Sequence, residues 1–222
     1  MVIEERLTTY IDSISWHIPP YLQEAEKQAL AEEVPIIRRS MQSLLQFLLA
    51  VQKPSSILEI GTAVGFSSML MSECVGENVP IDTIEKVPAR IRNARANFEK
   101  YHKSDRIHLL TGDAGEILQQ LAEQGRQYDF IFMDAAKGQY PNFLIPILTL
   151  LSENGMLVTD NVLQDGDIIE SRYAVTRRDR TIHGRMREFL YTLTHSDDLQ
   201  TVILPVGDGA AVTMRKQKCE SQ

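Results

Sequence analysis

Apolar and polar positions change rhythm once along this chain, near Pro54. Before that point the spacing is helical. AEKQALAEEVP (25–35) has helix-forming composition up to Pro35, and IIRRSMQSLLQFLLAVQ (36–52) sets Ile37, Met41, Leu44, Leu45, Leu48 and Leu49 near a 3.6-residue period. That stripe predicts a helix facing a core. From Pro54 onward, short apolar runs alternate with helical stretches. SILEIG (56–61), IDTIE (81–85), RIHLLTGD (106–113), YDFIFMD (128–134) and GMLVTDNV (155–162) predict strands. Helices are predicted between them: around 66–75, over VPARIRNARANFEKY, over GEILQQLAEQ and over YPNFLIPILTLLS (140–152). Strands spaced by helices imply parallel pairing through right-handed crossovers, hence a doubly wound α/β sheet with helices on both faces. Near the end, LQTVILPVGDGAAVTMRK (199–216) predicts two antiparallel strands about a Gly-Asp-Gly turn. No repeat or low-complexity linker divides the pattern. One domain over 1–222 is expected, with N-terminal helices in 1–53, an α/β core in 54–216 and a polar tail in 217–222.

Composition narrows the class. At 222 residues the chain can bury one sizeable core, and its 43% hydrophobic and 24% charged residues are ordinary for a globular protein. The longest apolar run, FLLAV (47–51), is far too short to span a bilayer. MVIEERLTTY carries acids and no apolar signal core, so secretion is not expected. The two cysteines, Cys74 and Cys219, show neither metal spacing nor a disulfide framework, which suits a reducing cytoplasm. Trp16 is expected to be a packing anchor. A net charge of −7 argues against indiscriminate nucleic-acid binding without excluding a local basic patch.

The chemistry gathers at strand ends. In an open parallel sheet, ligands bind beyond the carboxyl ends of the strands. Those ends read Glu59-Ile60-Gly61, Glu85, Asp113, Asp134 and Asp160-Asn161. One such acid is usually a cap or a solvated loop residue; five on one rim point to a site. The first loop, EIGTAVGFSS, is not the dinucleotide fingerprint, because position 63 is Ala. Gly61 permits a sharp turn, and the wide Gly61-to-Gly65 spacing leaves space for a ligand against the loop. Glu85 follows Gly61 by 24 residues, where doubly wound folds hydrogen-bond a ribose diol. A nucleoside-containing cofactor is therefore expected.

EIGTAVGFSS, Glu85, GDA (112–114), MDAAKGQY (133–140) and TDNV (159–162) together resemble the class I S-adenosylmethionine-dependent O-methyltransferases. Within these, the chain is similar to the cation-dependent family of caffeoyl-CoA and catechol O-methyltransferases over about Val34 to Lys216. VPIIRR, DAAKGQYPNF and PVGDGAAV resemble a bacterial branch that methylates 5-hydroxyuridine in tRNA. The resemblance implies that Glu59, Gly61, Thr62, Gly65 and Ser67 serve the loop that holds the methionine part of S-adenosylmethionine. It further implies that Glu85 takes the ribose hydroxyls, that Asp113 and Ala114 flank the adenine, and that Asp134 also meets the cofactor. Asp134, Asp160 and Asn161 would ligate a divalent cation, Mg²⁺ being favoured by an all-oxygen donor set, with Mn²⁺ or Ca²⁺ as options. Lys137 would be the general base, working beside Asp134. A homodimer is also implied.

Metal chelation calls for vicinal oxygens on the acceptor, which a catechol and a 5-hydroxyuridine both offer. The periphery bears on the choice. RYAVTRRDRTIHGRMR (172–187) holds six arginines against one acid. Arg172, Arg177, Arg178 and Arg180, with Arg38 and Arg39, could track an RNA backbone, and Tyr140 and Tyr173 could stack on an exposed base. His183, among the arginines, is expected to be solvated. Open alternatives are a small-molecule catechol or caffeoyl-CoA-type methyltransferase, a non-catalytic RNA-binding module, and an NAD-dependent dehydrogenase that Ala63 disfavours.

Overall fold

In the computed structural model the described residues are 5–15, 17–171, 173–176 and 179–216. Trp16, Arg172, Arg177, Arg178, Cys219 and the tail 217–222 lie outside them. Helices α1 (Glu5–Ile14), α2 (Pro20–Ala31) and α3 (Arg39–Gln52) precede β1 (Ile57–Ile60). Strands and helices then alternate: α4 (Phe66–Cys74), β2 (Ile81–Glu85), α5 (Pro88–Lys100), β3 (Ile107–Thr111), α6 (Ala114–Glu123), β4 (Tyr128–Met133), α7 (Tyr140–Leu150) and β5 (Leu151–Thr159). Helix α8 (Arg180–His195) and the pair β6 (Leu199–Leu204) and β7 (Ala210–Arg215) follow. The seven strands form one sheet in the order β3-β2-β1-β4-β5-β7-β6. The first five are parallel; β7 runs antiparallel to β5, and β6 antiparallel to β7. This is the expected doubly wound architecture with its antiparallel end.

Strand periodicity builds two cores from one sheet. Leu58 and Ile60 in β1, Ile131 and Met133 in β4 and Leu157 in β5 face α6, α7 and α8. Their alternates Ile57, Phe130, Phe132, Met156 and Val158 face α3, α4 and α5. Strands buried on both faces need apolar residues at every position, which is why FIFM reads as a continuous run. Each fully buried Phe or Leu contributes roughly 1.5–3 kcal/mol. The strand order reverses between β1 and β4, and a crevice opens beyond their carboxyl ends.

Several boundaries differ from the sequence reading. Helix α2 begins at Pro20, and α3 begins only at Arg39, because Pro35 and the extended backbone of Arg38 (ψ 154°) break the helical path. The segment 32–38 between them is free to line the crevice. Strand β5 starts at Leu151, four residues before the expected Gly155, because Leu151 already pairs with Tyr128 ahead of an irregular step. Helix α8 had no counterpart in the reading. Its apolar face, Met186, Phe189, Leu190 and Leu193, is interleaved with arginines that mask the period. His183 belongs to that buried face at 2% exposure, so the expectation of a solvated histidine is corrected.

Candidate active site

Beyond the strand ends lies a cavity of about 540 Å³. Gly61, Glu85, Asp113, Ala114, Asp134, Asp160 and Asn161 all line it, along with Arg38. The site therefore assembles from the ends of β1, β2, β3, β4 and β5.

The first loop explains its own sequence. Gly61 has φ +109°, and a Cβ there would lie 1.9 Å from the Asp134 carbonyl oxygen. Only glycine lets β1 and β4 end so close together. Ala63 adopts φ 48° and aims its N–H at Glu85 Oε2, 3.0 Å away. The N–H groups of Lys86 and Val87 donate to Glu85 Oε1 at 2.8 and 2.9 Å. Three backbone donors thus hold one carboxylate at the lip of the cavity. Asp113 caps α6 by accepting from Gly115 N at 2.9 Å and pairs with Lys86 at 3.4 Å.

Glu59, Thr62, Gly65 and Ser67 stand behind the loop rather than in the cavity lining. Glu59 is fully buried and accepts hydrogen bonds from Ser67, Ser68 and Thr83. Burial pushes its carboxyl up, against the opposing pull of those three hydroxyls. Thr62 Oγ1 meets Thr83 Oγ1 at 2.6 Å. These residues shape the loop that the cavity residues stand on.

Two acids face one another at the far end. Burial pushes Asp134 up to about 6, with the charges of Lys137 and Arg90 acting against it. Asp160 is pushed up to about 7, by burial first and by the charge of Asp134 second. Asp160 Oδ1 accepts from the Asn161 N–H at 2.6 Å, and Asn161 takes the left-handed conformation at φ 59°. Asn tolerates that conformation better than most residues. Two buried carboxyls beside an amide oxygen are a hard donor set whose ionisation a divalent cation would favour. Among the described residues, no three His, Cys, Asp or Glu side chains converge in a metal-holding group; the set here is two carboxylates and an amide.

Lys137 sits in the 3-10 turn Lys137–Gln139 after β4, and its Nζ donates to Asp208 Oδ2 at 3.1 Å. Asp208, 4% exposed, comes from the Gly-Asp-Gly turn between β6 and β7. That turn is tied to the cavity by Val162 N to Gly209 O at 3.0 Å and Leu163 N to Asp208 O at 2.9 Å. The sequence reading saw the turn but gave Asp208 no role. It also passed over Lys86, Arg90 and Phe143, which line the cavity. The signal available for Arg90 was its place in the first turn of the helix after Glu85.

The expected substrate residues divide. Arg38 lines the cavity. Arg39 points away and pairs with Glu26 at 3.3 Å. Tyr140 is corrected: it is fully buried, its hydroxyl donates to Asp160 O at 3.1 Å, and its ring packs edge-on against Phe189, so it cannot stack on a base. Tyr173 is 82% exposed, with the Arg180 guanidinium 5.8 Å from its ring centre. Arg185 donates to Gly138 O at 2.7 Å, docking α8 on the lysine turn.

A family model described as O-methyltransferase matches residues 12–216. The chain is 32% identical over 127 residues to a catechol O-methyltransferase of Niastella koreensis, spanning 57% of this chain and 58% of that protein. It is 28% identical over 176 residues to a caffeoyl-CoA O-methyltransferase of Eucalyptus gunnii, spanning 78% and 71%. A solved structure of a Podospora anserina methyltransferase bound to SAH superposes with a TM-score of 0.84 at 28% identity, covering 96% of this chain and 95% of that one.

Proposed function

The chain belongs to the class I S-adenosylmethionine-dependent O-methyltransferases, and on that premise we propose that it methylates the 5-hydroxyl of 5-hydroxyuridine in tRNA with the help of a divalent cation. The observation that carries the chemistry is the convergence of Asp134, Asp160 and Asn161 at one end of a cavity whose other end presents Glu85 and Asp113. Glu85 would take the ribose hydroxyls, Asp113 and Ala114 would flank the adenine, and the loop at Gly61 would leave space for the methionine part. Asp134, Asp160 and Asn161 would hold Mg²⁺. Such a cation supplies positive charge that orients two adjacent acceptor oxygens and lowers the hydroxyl pKa. S-adenosylmethionine would supply the methyl group, an O–C bond replacing its C–S bond and a neutral thioether leaving. Lys137 Nζ would accept the hydroxyl proton, with Asp208 placed to pair with the resulting ammonium.

The tRNA substrate is supported by position. Helix α8 carries Arg180, Arg185 and Arg187, and Arg185 is bonded to the turn that bears Lys137. Phosphates tracking that helix would bring a base toward the cavity. A second reading, a small catechol-type acceptor, is favoured by the names of the relatives. The same premise carries a homodimer: α1 exposes Leu7, Tyr10, Ile11 and Ile14 at helical spacing, an apolar stripe for a second copy to cover. Sedimentation at micromolar concentration tests that.

The deciding experiment incubates tRNA bearing unmethylated 5-hydroxyuridine with the protein, S-adenosylmethionine and Mg²⁺, beside an EDTA control, and reads digested nucleosides by mass spectrometry. Metal-dependent 5-methoxyuridine, formed at a rate that falls steeply with salt, supports the proposal. Turnover of a simple catechol with no product on tRNA replaces it with the second reading.

A further inference from the structure

The cavity is lined by several acids and by the cations Arg38, Lys86 and Arg90. Two of the basic groups around the site are already committed: Lys86 to Asp113 at 3.4 Å and Lys137 to Asp208 at 3.1 Å. Arg38 too has an interaction of its own. Arg90 lines the same cavity and has no ion pair among the described residues. It stands in the first turn of α5, the helix that begins three residues after Glu85. The same helix braces the first loop, since Asn97 Nδ2 donates to Val64 O at 2.8 Å and a Cβ on Gly65 would strike the Phe98 ring at 2.4 Å. Arg90 therefore lines the cavity from a helix that starts beside Glu85 and packs against the loop expected to hold the cofactor's amino-acid end.

S-adenosylmethionine carries one anionic group, the α-carboxylate of its methionine part, and an ammonium on the adjacent carbon. A carboxylate, Asp134, and an arginine without an ion pair among the described residues line the same cavity and match the charges of that zwitterion. We propose that Arg90 binds the α-carboxylate of the cofactor while Asp134 faces its ammonium, so that Arg90 selects for the intact amino-acid end. A planar guanidinium suits a carboxylate through two parallel hydrogen bonds. This rests on the methyltransferase reading above and adds a residue to it.

The test is calorimetric and uses no turnover. S-adenosylhomocysteine and 5′-methylthioadenosine, which lacks the carboxylate and ammonium, are titrated into the full chain and into the R90A and R90K variants. R90A is expected to weaken S-adenosylhomocysteine by about tenfold to a hundredfold, the scale of a charge-assisted hydrogen bond, and to leave 5′-methylthioadenosine within about twofold. R90K is expected to recover part of the loss, since it restores the charge without the planar fork. Equal weakening of both ligands, or no change in either, overturns the assignment. Should R90A fail to fold by circular dichroism, R90K carries the test: it must weaken S-adenosylhomocysteine selectively. Wild-type protein that binds neither ligand defeats the methyltransferase reading itself, an outcome separate from a wild type that binds and an R90A variant that binds as well.

Discussion

Lys137 Nζ and Asp208 Oδ2, 71 residues apart in sequence, meet at 3.1 Å and join the turn after β4 to the turn between β6 and β7. The acid is almost wholly buried and the lysine side chain one-third exposed, so the pair is partly withdrawn from solvent. Solvated ion pairs hold little energy, but here the acid fixes where a reactive amine points. Lys137→Ala is expected to lower kcat by about a hundredfold or more, the usual scale for a general base. Asp208→Asn keeps the shape and loses the charge; a fall of about tenfold in kcat, with KM for S-adenosylmethionine unchanged, is expected from a loosened base. Steady-state kinetics on both variants decides it. An Asp208→Asn enzyme with parental kcat and raised KM would show that the acid serves binding instead.

If Asp134 and Asp160 hold the proposed cation, metal and proton compete for the same two carboxyls. Asp134 is raised to about 6 and Asp160 to about 7, so the folded chain holds these protons more tightly than the unfolded chain does. Their contribution to stability is whole below the ordinary carboxylate value of about 4 and drains away as pH rises through about 6 to 7. A divalent cation opposes the loss by binding the ionised pair. In metal-free buffer, Tm is expected to fall as pH rises across that window, while the gain in Tm on adding Mg²⁺ grows. EDTA should remove the gain and abolish methyl transfer. An Mg²⁺ effect on Tm that is the same at both ends of the window would sink the metal assignment.

How much of this was legible depends on what each element exposes to its own sequence. Strands buried on both faces announce themselves as unbroken apolar runs, and the acids at their ends stand out against them. Glu85, Asp134, Asp160 and Asn161 were visible for that reason, and the cavity gathers them. Asp208 was hidden because a Gly-Asp-Gly sequence is accounted for by the turn alone; its contact with Lys137 depends on the pairing of β7 with β5, which no local pattern encodes. Tyr140 misled for the opposite reason. An aromatic three residues after Lys137 suggests stacking, yet it is the first residue of α7 and faces inward to Phe189. Glu59 was read as a cofactor residue on its place beside Gly61, but strand alternation sends its side chain to the face of Ser67 and Ser68.

The Tyr140 hydroxyl ties the segment after β4 to the end of β5 by its bond to the Asp160 carbonyl. Tyr140→Phe keeps the edge-on packing with Phe189 and removes the hydroxyl with its hydrogen bonds to the backbone of Asp160 and Ala135. A buried acceptor left without a donor costs about 1–3 kcal/mol, which denaturant unfolding can measure. Activity should drop by about tenfold as Asp160 gains freedom, with S-adenosylhomocysteine affinity nearly unchanged. A variant that is destabilised yet fully active would confine Tyr140 to the core.

Gly61 offers the sharpest separation between backbone strain and close approach. An added Cβ would lie 1.9 Å from the Asp134 carbonyl oxygen, and φ is +109°. The end of β4 cannot retreat easily, because Asp134 N donates to Ile60 O at 2.9 Å across the same gap. Gly166 serves as the control: its φ is +98°, but nothing lies within 4 Å of the position a Cβ would take. Gly166→Ala should therefore cost only the strain of a positive φ, about 1–2 kcal/mol. Gly61→Ala carries that strain plus the clash, and is expected to cost about 3 kcal/mol or more and to displace Asp134. Thermal melting of the two variants gives the first comparison, and S-adenosylhomocysteine titration gives the second. Equal losses of stability would mean that φ alone demands glycine at position 61. A larger loss at Gly61, with cofactor binding abolished there and intact at Gly166, would place the closeness of β1 and β4 at the root of the site.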